Sequence, residues 1–289
     1  MDPNFFIVGG AKCGTTNMSY NLMEHEEIFM PKLNEPYYFC RLDVPNDFQR
    51  NSMIKDKTKY LDLFQNAKNC KAVGEATSAY LHCPHAAEDI KKHFPDAKII
   101  ILIRNPIDRA HSAYFSYQFM HPDQRSFGEM IEDHENKIKK EEFFLYSILD
   151  PGFYSKHIKK FQSVFPAEQI KIIVFEEYIK NVESTIKSIL DFLDLDTSIT
   201  FKEQKKGAYR APKNKISNKL LQNTEFRNIA TKMIPTVYRQ KIGDKFLVKQ
   251  TKKPSMLLQE RKNLEKIYEI EVKNLQNLLN RKLPWKDFQ

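Results

Sequence analysis

The run Lys98–Ile103 holds five consecutive apolar residues with no polar alternation, and Arg104-Asn105-Pro106 ends it. A strand of this kind needs cover on both faces, and that environment exists inside a parallel sheet flanked by helices. Phe5–Val8 and Ile170–Phe175 are runs of the same character, and Lys71–Val73 is a weaker one ending at Gly74-Glu75. Between them the sequence predicts helices over Thr16–Glu24, Pro84–His93, Ile107–Gln118, Phe153–Phe165 and Asn181–Leu193, with Pro84 and Asn181 suited to helix starts. Short buried strands alternating with helices give an α/β fold with a central parallel sheet. Leu264, Ile267, Tyr268, Val272, Leu275, Leu278 and Leu279 recur at helical spacing, which predicts an amphipathic helix over about 257–282 packed on the body. There is no internal repeat and no linker composition, so residues 1–289 read as one domain. The polar segment Phe119–Lys140 reads as a surface excursion and Lys202–Lys219 as a basic loop.

Charge narrows the function only slightly. The net charge of +9 admits nucleic acid, an anionic membrane or an anionic small ligand. Neither interleaved stacking aromatics nor a recognition helix accompanies it, so nucleic-acid binding is not expected. Cys13, Cys40, Cys70 and Cys83 have no C-x-x-C spacing and no paired histidines. This speaks against a metal site or a redox motif and implies no disulfide framework. The start MDPNFFIVGG lacks the pattern of a secretory leader, and no apolar stretch approaches the roughly 20 residues of a membrane span. The expectation is a cytoplasmic protein without a membrane span.

The first strand runs directly into Gly9-Gly10-Ala11-Lys12-Cys13-Gly14-Thr15-Thr16 and then a helix. Backbone N–H groups converge in such a turn and the helix dipole adds positive potential, so the loop is an anion site by construction. Gly9 and Gly14 match the outer glycines of G-x-x-x-x-G-K-[ST], but Thr15 stands where the lysine of a P-loop nucleotidase belongs, and Lys12 lies inside the turn. The loop is thus P-loop-like but lacks the kinase signature, and a P-loop kinase is the weaker reading. At the end of the Lys98–Ile103 strand, Arg104 can make planar, paired hydrogen bonds to a phosphate. Ser112 can add another from the following helix, while Arg109 is equally readable as a surface ion-pair partner. Both elements sit at carboxyl ends of strands, where open α/β sheets bind ligands.

These residues resemble those of sulfotransferases that use 3′-phosphoadenosine 5′-phosphosulfate (PAPS). GGAKCGTT resembles their 5′-phosphosulfate loop and RNPIDRAHSAY their 3′-phosphate motif, closest in flavour to the heparan sulfate glucosaminyl enzymes and their bacterial relatives. Asn34–Phe39, Gly74–Leu81, Ile172–Tyr178 and Lys206–Arg210 resemble shorter family segments. The resemblance implies a sulfotransferase fold and transfer of a sulfuryl group to a hydroxyl, with 3′,5′-adenosine bisphosphate as the product. In it, Lys12, Cys13, Gly14, Thr15 and Thr16 hold the 5′ end of the nucleotide. Arg104 and Ser112 hold its 3′-phosphate, and Lys206, Gly207, Tyr209 and Arg210 close over it. Lys12 also stabilises the leaving phosphate, and Glu35 is the general base.

In-line transfer of this kind relies on positioning and electrostatics and requires no metal. It does require a base within reach of the acceptor hydroxyl. Glu75 is the alternative to Glu35, or else a support for Lys12; His82, His85 and His111 are weaker candidates. Tyr37, Tyr38 and Phe39 read either as a sugar-stacking wall or as core. Ala76 and Ser78 replace a lysine and a proline of the heparan enzymes, which affects the acceptor and not the donor. A carbohydrate-type acceptor, polysaccharide or glycolipid, is the expectation, with an acyl-chain or small-metabolite hydroxyl as the alternative.

Overall fold

In the computed structural model, residues 1–40, 53–120, 125–138, 148–198, 210–223 and 243–289 are described, with isolated positions between 226 and 233. Strands β1 (Phe5–Gly9), β2 (Ile28–Phe29), β3 (Ala72–Ala76), β4 (Lys98–Ile103) and β5 (Ile170–Val174) form one sheet in the order β2-β3-β1-β4-β5, with every pairing parallel. The helices are α1 (Thr15–Leu22), α2 (Lys57–Asp62), α3 (Ala86–His93), α4 (Pro106–Met120), α5 (Phe127–Ile138), α6 (Tyr154–Gln162), α7 (Phe175–Lys180), α8 (Val182–Phe192), α9 (Lys215–Gln222) and α10 (Leu258–Leu279). A separate antiparallel pair joins β6 (Arg210–Pro212) to β7 (Val248–Gln250).

Two of the three inner strands, β1 and β4, are those that the strongest apolar runs predict. Phe5–Val8 and Ile99–Ile103 have no exposed surface. Each large side chain buried there contributes roughly 2 kcal/mol relative to exposure. Because all five strands point the same way, the segments after β1, β3, β4 and β5 emerge at one edge of the sheet. Asn105 caps α4, its Oδ1 accepting from the Ile107 N–H at 2.9 Å, and Pro106 opens the helix. Helix α10 buries Leu264, Tyr268, Val272 and Leu275 along one stripe, in agreement with the helical periodicity.

Several expectations need correction. Strand β3 extends to Ala76, so Gly74 and Glu75 lie within it; Gly74 is there because a Cβ would enter the ring of Phe5 on the neighbouring strand. The polar segment 119–140 carries α5, whose Phe127 and Ile131 are buried beneath a charged outer face. The basic stretch 202–219 is no loop over its described part, since it contains β6 and the start of α9, capped by Asn214. Helix α3 starts at Ala86 and not at Pro84. Cys40 and Cys83 form a disulfide, with Cα atoms 5.5 Å apart across 43 residues of sequence.

Candidate active site

The turn after β1 is shaped by backbone conformation. Lys12 has φ 76° and Gly14 φ 94°, and a Cβ at Gly14 would come within 2.8 Å of the Phe175 ring. Glycine is the residue that fits there. Gly14 is the N-cap of α1, so Thr15 and Thr16 open that helix with their N–H groups free of earlier helical acceptors. Cys13 is turned inward and fully buried, its Sγ 3.4 Å from the Tyr154 hydroxyl. Burial pushes its thiol up to about 11, so it stays protonated. The side chain of Cys13 therefore faces the interior, and its part in the loop falls to the backbone.

Arg104, at the end of β4, reaches back to this loop. Its Nη1 donates to the Lys12 carbonyl at 3.0 Å, and its guanidinium stands 4.5 Å from the centroid of the Phe175 ring. Its Nε is buried and has no partner among the described residues. The Tyr154 hydroxyl donates to the Arg104 carbonyl at 2.9 Å. Behind the turn, Glu176 accepts from the Asn105 N–H at 3.0 Å and from the Trp285 indole at 2.9 Å. Asp287 accepts from the Asn105 amide and from Arg261, both at 2.7 Å, and Arg261 also pairs with Asp108 at 2.6 Å. The chain's last residues thus brace the turn that carries Arg104. Ser112 lies half-buried in the second turn of α4.

Arg109 is not a surface ion-pair partner. It is fully buried and donates to the Ala11 carbonyl at 3.3 Å and to the Ile148 carbonyl, tying the glycine loop to the body. His111 is buried, and desolvation, followed by the charge of Lys253, holds it down at about 4.

Sequence reasoning missed Lys253, which lies between β7 and α10. It is half-buried, and its pKa is pushed down to about 8, first by burial and then by the charge of Arg104, with Lys12 adding to the effect. Three cations from distant parts of the chain therefore converge at the carboxyl edge of the sheet. Of the expected lid, Lys206, Gly207 and Tyr209 lie outside the described residues. Arg210 begins β6, paired with Gln250 just ahead of Lys253.

A second group of residues stands at the end of β3. Glu35 docks there through its N–H to the Ala76 carbonyl at 3.2 Å, while the Thr77 N–H donates to Ile7 of β1 at 3.1 Å. Glu35 Oε1 accepts from the Ser78 hydroxyl and, at 3.4 Å, from the Ser78 N–H; its Oε2 accepts from the Tyr37 hydroxyl at 2.8 Å. Glu35 and Tyr37 both have positive φ, 53° and 57°. Backbone strain of this kind is held by surrounding contacts and concentrates at working sites. Tyr37 and Phe39 are buried and Tyr38 stacks on Tyr60 at 4.2 Å, so the aromatic run is core more than wall. Glu75 points into the protein and bonds to Thr77, making no ion pair with Lys12.

No helix among the described residues is long and apolar enough to cross a membrane. None of their His, Cys, Asp and Glu side chains form a group of three or more that could hold a metal ion.

The comparisons with known proteins agree with one another. A sulfotransferase from Alicyclobacillus acidocaldarius superposes with a TM-score of 0.75 at 27% identity over 98% of each chain. The membrane-associated sulfotransferase kil1 of Dictyostelium discoideum is 26% identical, with 67% of this chain matching 56% of that protein. Human carbohydrate sulfotransferase 15 is 22% identical (67% of this chain, 44% of that protein), and mouse bifunctional heparan sulfate N-deacetylase/N-sulfotransferase 3 is 27% identical (70% and 23%). The chain spans between about a quarter and a half of these curated relatives' lengths. The sulfotransferase domain pattern matches residues 2–278, and the chain belongs to the sulfotransferase family.

Proposed function

We propose that this protein transfers a sulfuryl group from PAPS to a hydroxyl of a carbohydrate-type acceptor, a polysaccharide or glycolipid. The observation that carries the donor assignment is the convergence of Lys12, Arg104 and Lys253 beside a glycine turn, with the buried Arg104 Nε unpartnered among the described residues. Such a cluster suits a ligand with phosphate at both ends of one nucleoside. The turn from Gly10 to Thr16 would hold the 5′ end, and Arg104, Ser112 and Lys253 the 3′-phosphate. The names of the carbohydrate and heparan sulfate relatives support a sugar acceptor.

PAPS supplies an activated sulfuryl group whose S–O bond to the 5′-phosphate breaks as the acceptor oxygen bonds to sulfur. Glu35 takes the acceptor's proton, aimed by Ser78 and Tyr37, which hold both of its oxygens. Lys12 and the N–H groups at the start of α1 meet the charge left on the phosphate.

Thermal unfolding with 3′,5′-adenosine bisphosphate, AMP and ADP tests the donor. A ligand at about a hundred times its Kd stabilises the native state by roughly 2.7 kcal/mol. The reading expects a shift that needs the 3′-phosphate and disappears in Arg104→Ala. Larger shifts with ADP and Mg²⁺ would overturn it. Transfer of radiolabelled sulfate from PAPS onto a panel of polysaccharides and glycolipids then tests the acceptor.

A further inference from the structure

Glu75 sits in β3 opposite Phe6 of β1 and is 1% exposed. Its Oε1 accepts from the Thr77 hydroxyl at 2.8 Å, while its buried Oε2 has no donor within hydrogen-bond distance among the described residues. The buried hydroxyl of Tyr60 faces it. Glu75 makes no ion pair among the described residues. A carboxylate so enclosed, facing only neutral hydroxyls and no counter-charge, is far less stable than the neutral acid.

The two residues after β3 link this carboxyl to Glu35. Thr77 bonds Glu75 and the adjacent Ser78 bonds Glu35 through both its N–H and its hydroxyl. Two residues further on, the Tyr80 hydroxyl accepts from the Phe39 N–H at 3.3 Å, holding the far side of the same loop. The turn 77–80 is therefore anchored on Glu75 beneath and grips the Glu35 loop above.

We propose that Glu75 is a positioning residue that works as the neutral acid, anchoring the Thr77-Ser78 turn that aims Glu35 and leaving Glu35 as the one carboxylate at the acceptor side of the site. The proposal rests on Glu35 being the base. The groups that face Glu75 are Tyr60, Thr77, Tyr80 and the Glu35 carboxylate. Burial raises its pKa to about 7; the three hydroxyls oppose the shift and the Glu35 charge adds to it. Above that pH a second negative charge appears behind Glu35, where it competes for the Thr77 and Tyr80 donors and repels an anionic donor substrate.

The test is the pH dependence of kcat/KM for wild type, Glu75→Gln, Glu75→Ala and Glu35→Gln, with calorimetric binding of 3′,5′-adenosine bisphosphate as the measure of an intact donor site. Wild type is expected to lose activity as pH rises through about 7. Glu75→Gln, a permanent mimic of the neutral acid, keeps the acid-side rate and lacks that fall. Glu75→Ala loses about tenfold or more in kcat/KM with nucleotide binding retained, because nothing accepts from Thr77. Glu75→Gln that keeps the alkaline fall, or that binds nucleotide but is inactive at every pH, overturns the proposal. Glu35→Gln with wild-type activity would sink the base assignment alone. Infrared spectroscopy of the wild type needs no variant: a neutral carboxyl band must titrate near pH 7, and its absence refutes the proposal.

Discussion

The Arg104 guanidinium lies 4.5 Å from the centroid of the Phe175 ring, and the same ring closes the space in which Gly14 has no side chain. One aromatic side chain thus lies between the two elements proposed to bind phosphate. Arg104→Ala should weaken 3′,5′-adenosine bisphosphate by about a hundredfold, the scale of a charge-assisted pair of hydrogen bonds. Phe175→Leu removes the ring face and should cost about 1 kcal/mol, or roughly fivefold. Isothermal titration of the two variants reads both values, and equal losses would contradict this division.

Lys253 should add a pH dependence to nucleotide binding. Its ammonium is the form that attracts phosphate, and its pKa of about 8 means that it is charged below that pH and loses its charge above it. Affinity for 3′,5′-adenosine bisphosphate should therefore fall as pH rises through about 8. The ligand's own phosphate is already fully ionised there, its second pKa being about 6. In Lys253→Met, binding should be weaker and flat over this range. A wild-type curve without the fall would remove Lys253 from the site.

Glu75 should also mark the stability curve. Its folded-state pKa of about 7 lies above the ordinary 4.5, so the native state binds its proton more tightly than the unfolded chain. The resulting stability is fully present below about pH 4.5, declines as pH rises and is gone above about 7. Subtracting the Glu75→Gln curve from that of wild type isolates the effect, on the order of 3 kcal/mol between the two ends. Denaturant unfolding across this range measures it, and a level difference curve contradicts the assignment.

Asp287 accepts from both Asn105 and Arg261, so its loss leaves the buried Asn105 amide without that acceptor and Arg261 with Asp108 alone of its two carboxylates. Asp287→Ala should destabilise the fold by about 1–3 kcal/mol. Because Asn105 follows Arg104, nucleotide affinity should fall with it, while Lys187→Ala, which removes a surface i,i+4 pair, should leave both unchanged within error. Melting and titration of the same samples separate the two effects.

The elements around the proposed donor half of the site were largely legible in the sequence because they are local. Apolar runs mark β1 and β4, the glycines mark the turn, and Pro106 marks the start of α4. Lys253 gave no local signal; it is one lysine in a lysine-rich stretch, and the β6–β7 pairing and the docking of α10 determine where it goes. Glu75 was misplaced because Gly74-Glu75 looks like the end of a strand, whereas the glycine accommodates the Phe5 ring across the sheet. Arg109 looked as exposed as any helical arginine until the packing of the 148–149 segment enclosed it. The spacing of Cys40 and Cys83 follows no rule, since only the fold brings them together.

That disulfide turns residues 40–83 into a covalent ring, and the two places where the ring closes are the neighbours of Phe39 and His82. Tyr37 and Ser78, which hold Glu35, sit just outside and just inside that closure, whereas Lys12, Arg104 and Lys253 all belong to open chain. Thiol reductants therefore address the two halves of the site unequally. They release the Glu35 loop, the proposed proton acceptor, from its macrocycle and leave the proposed nucleotide cradle with every bond it had.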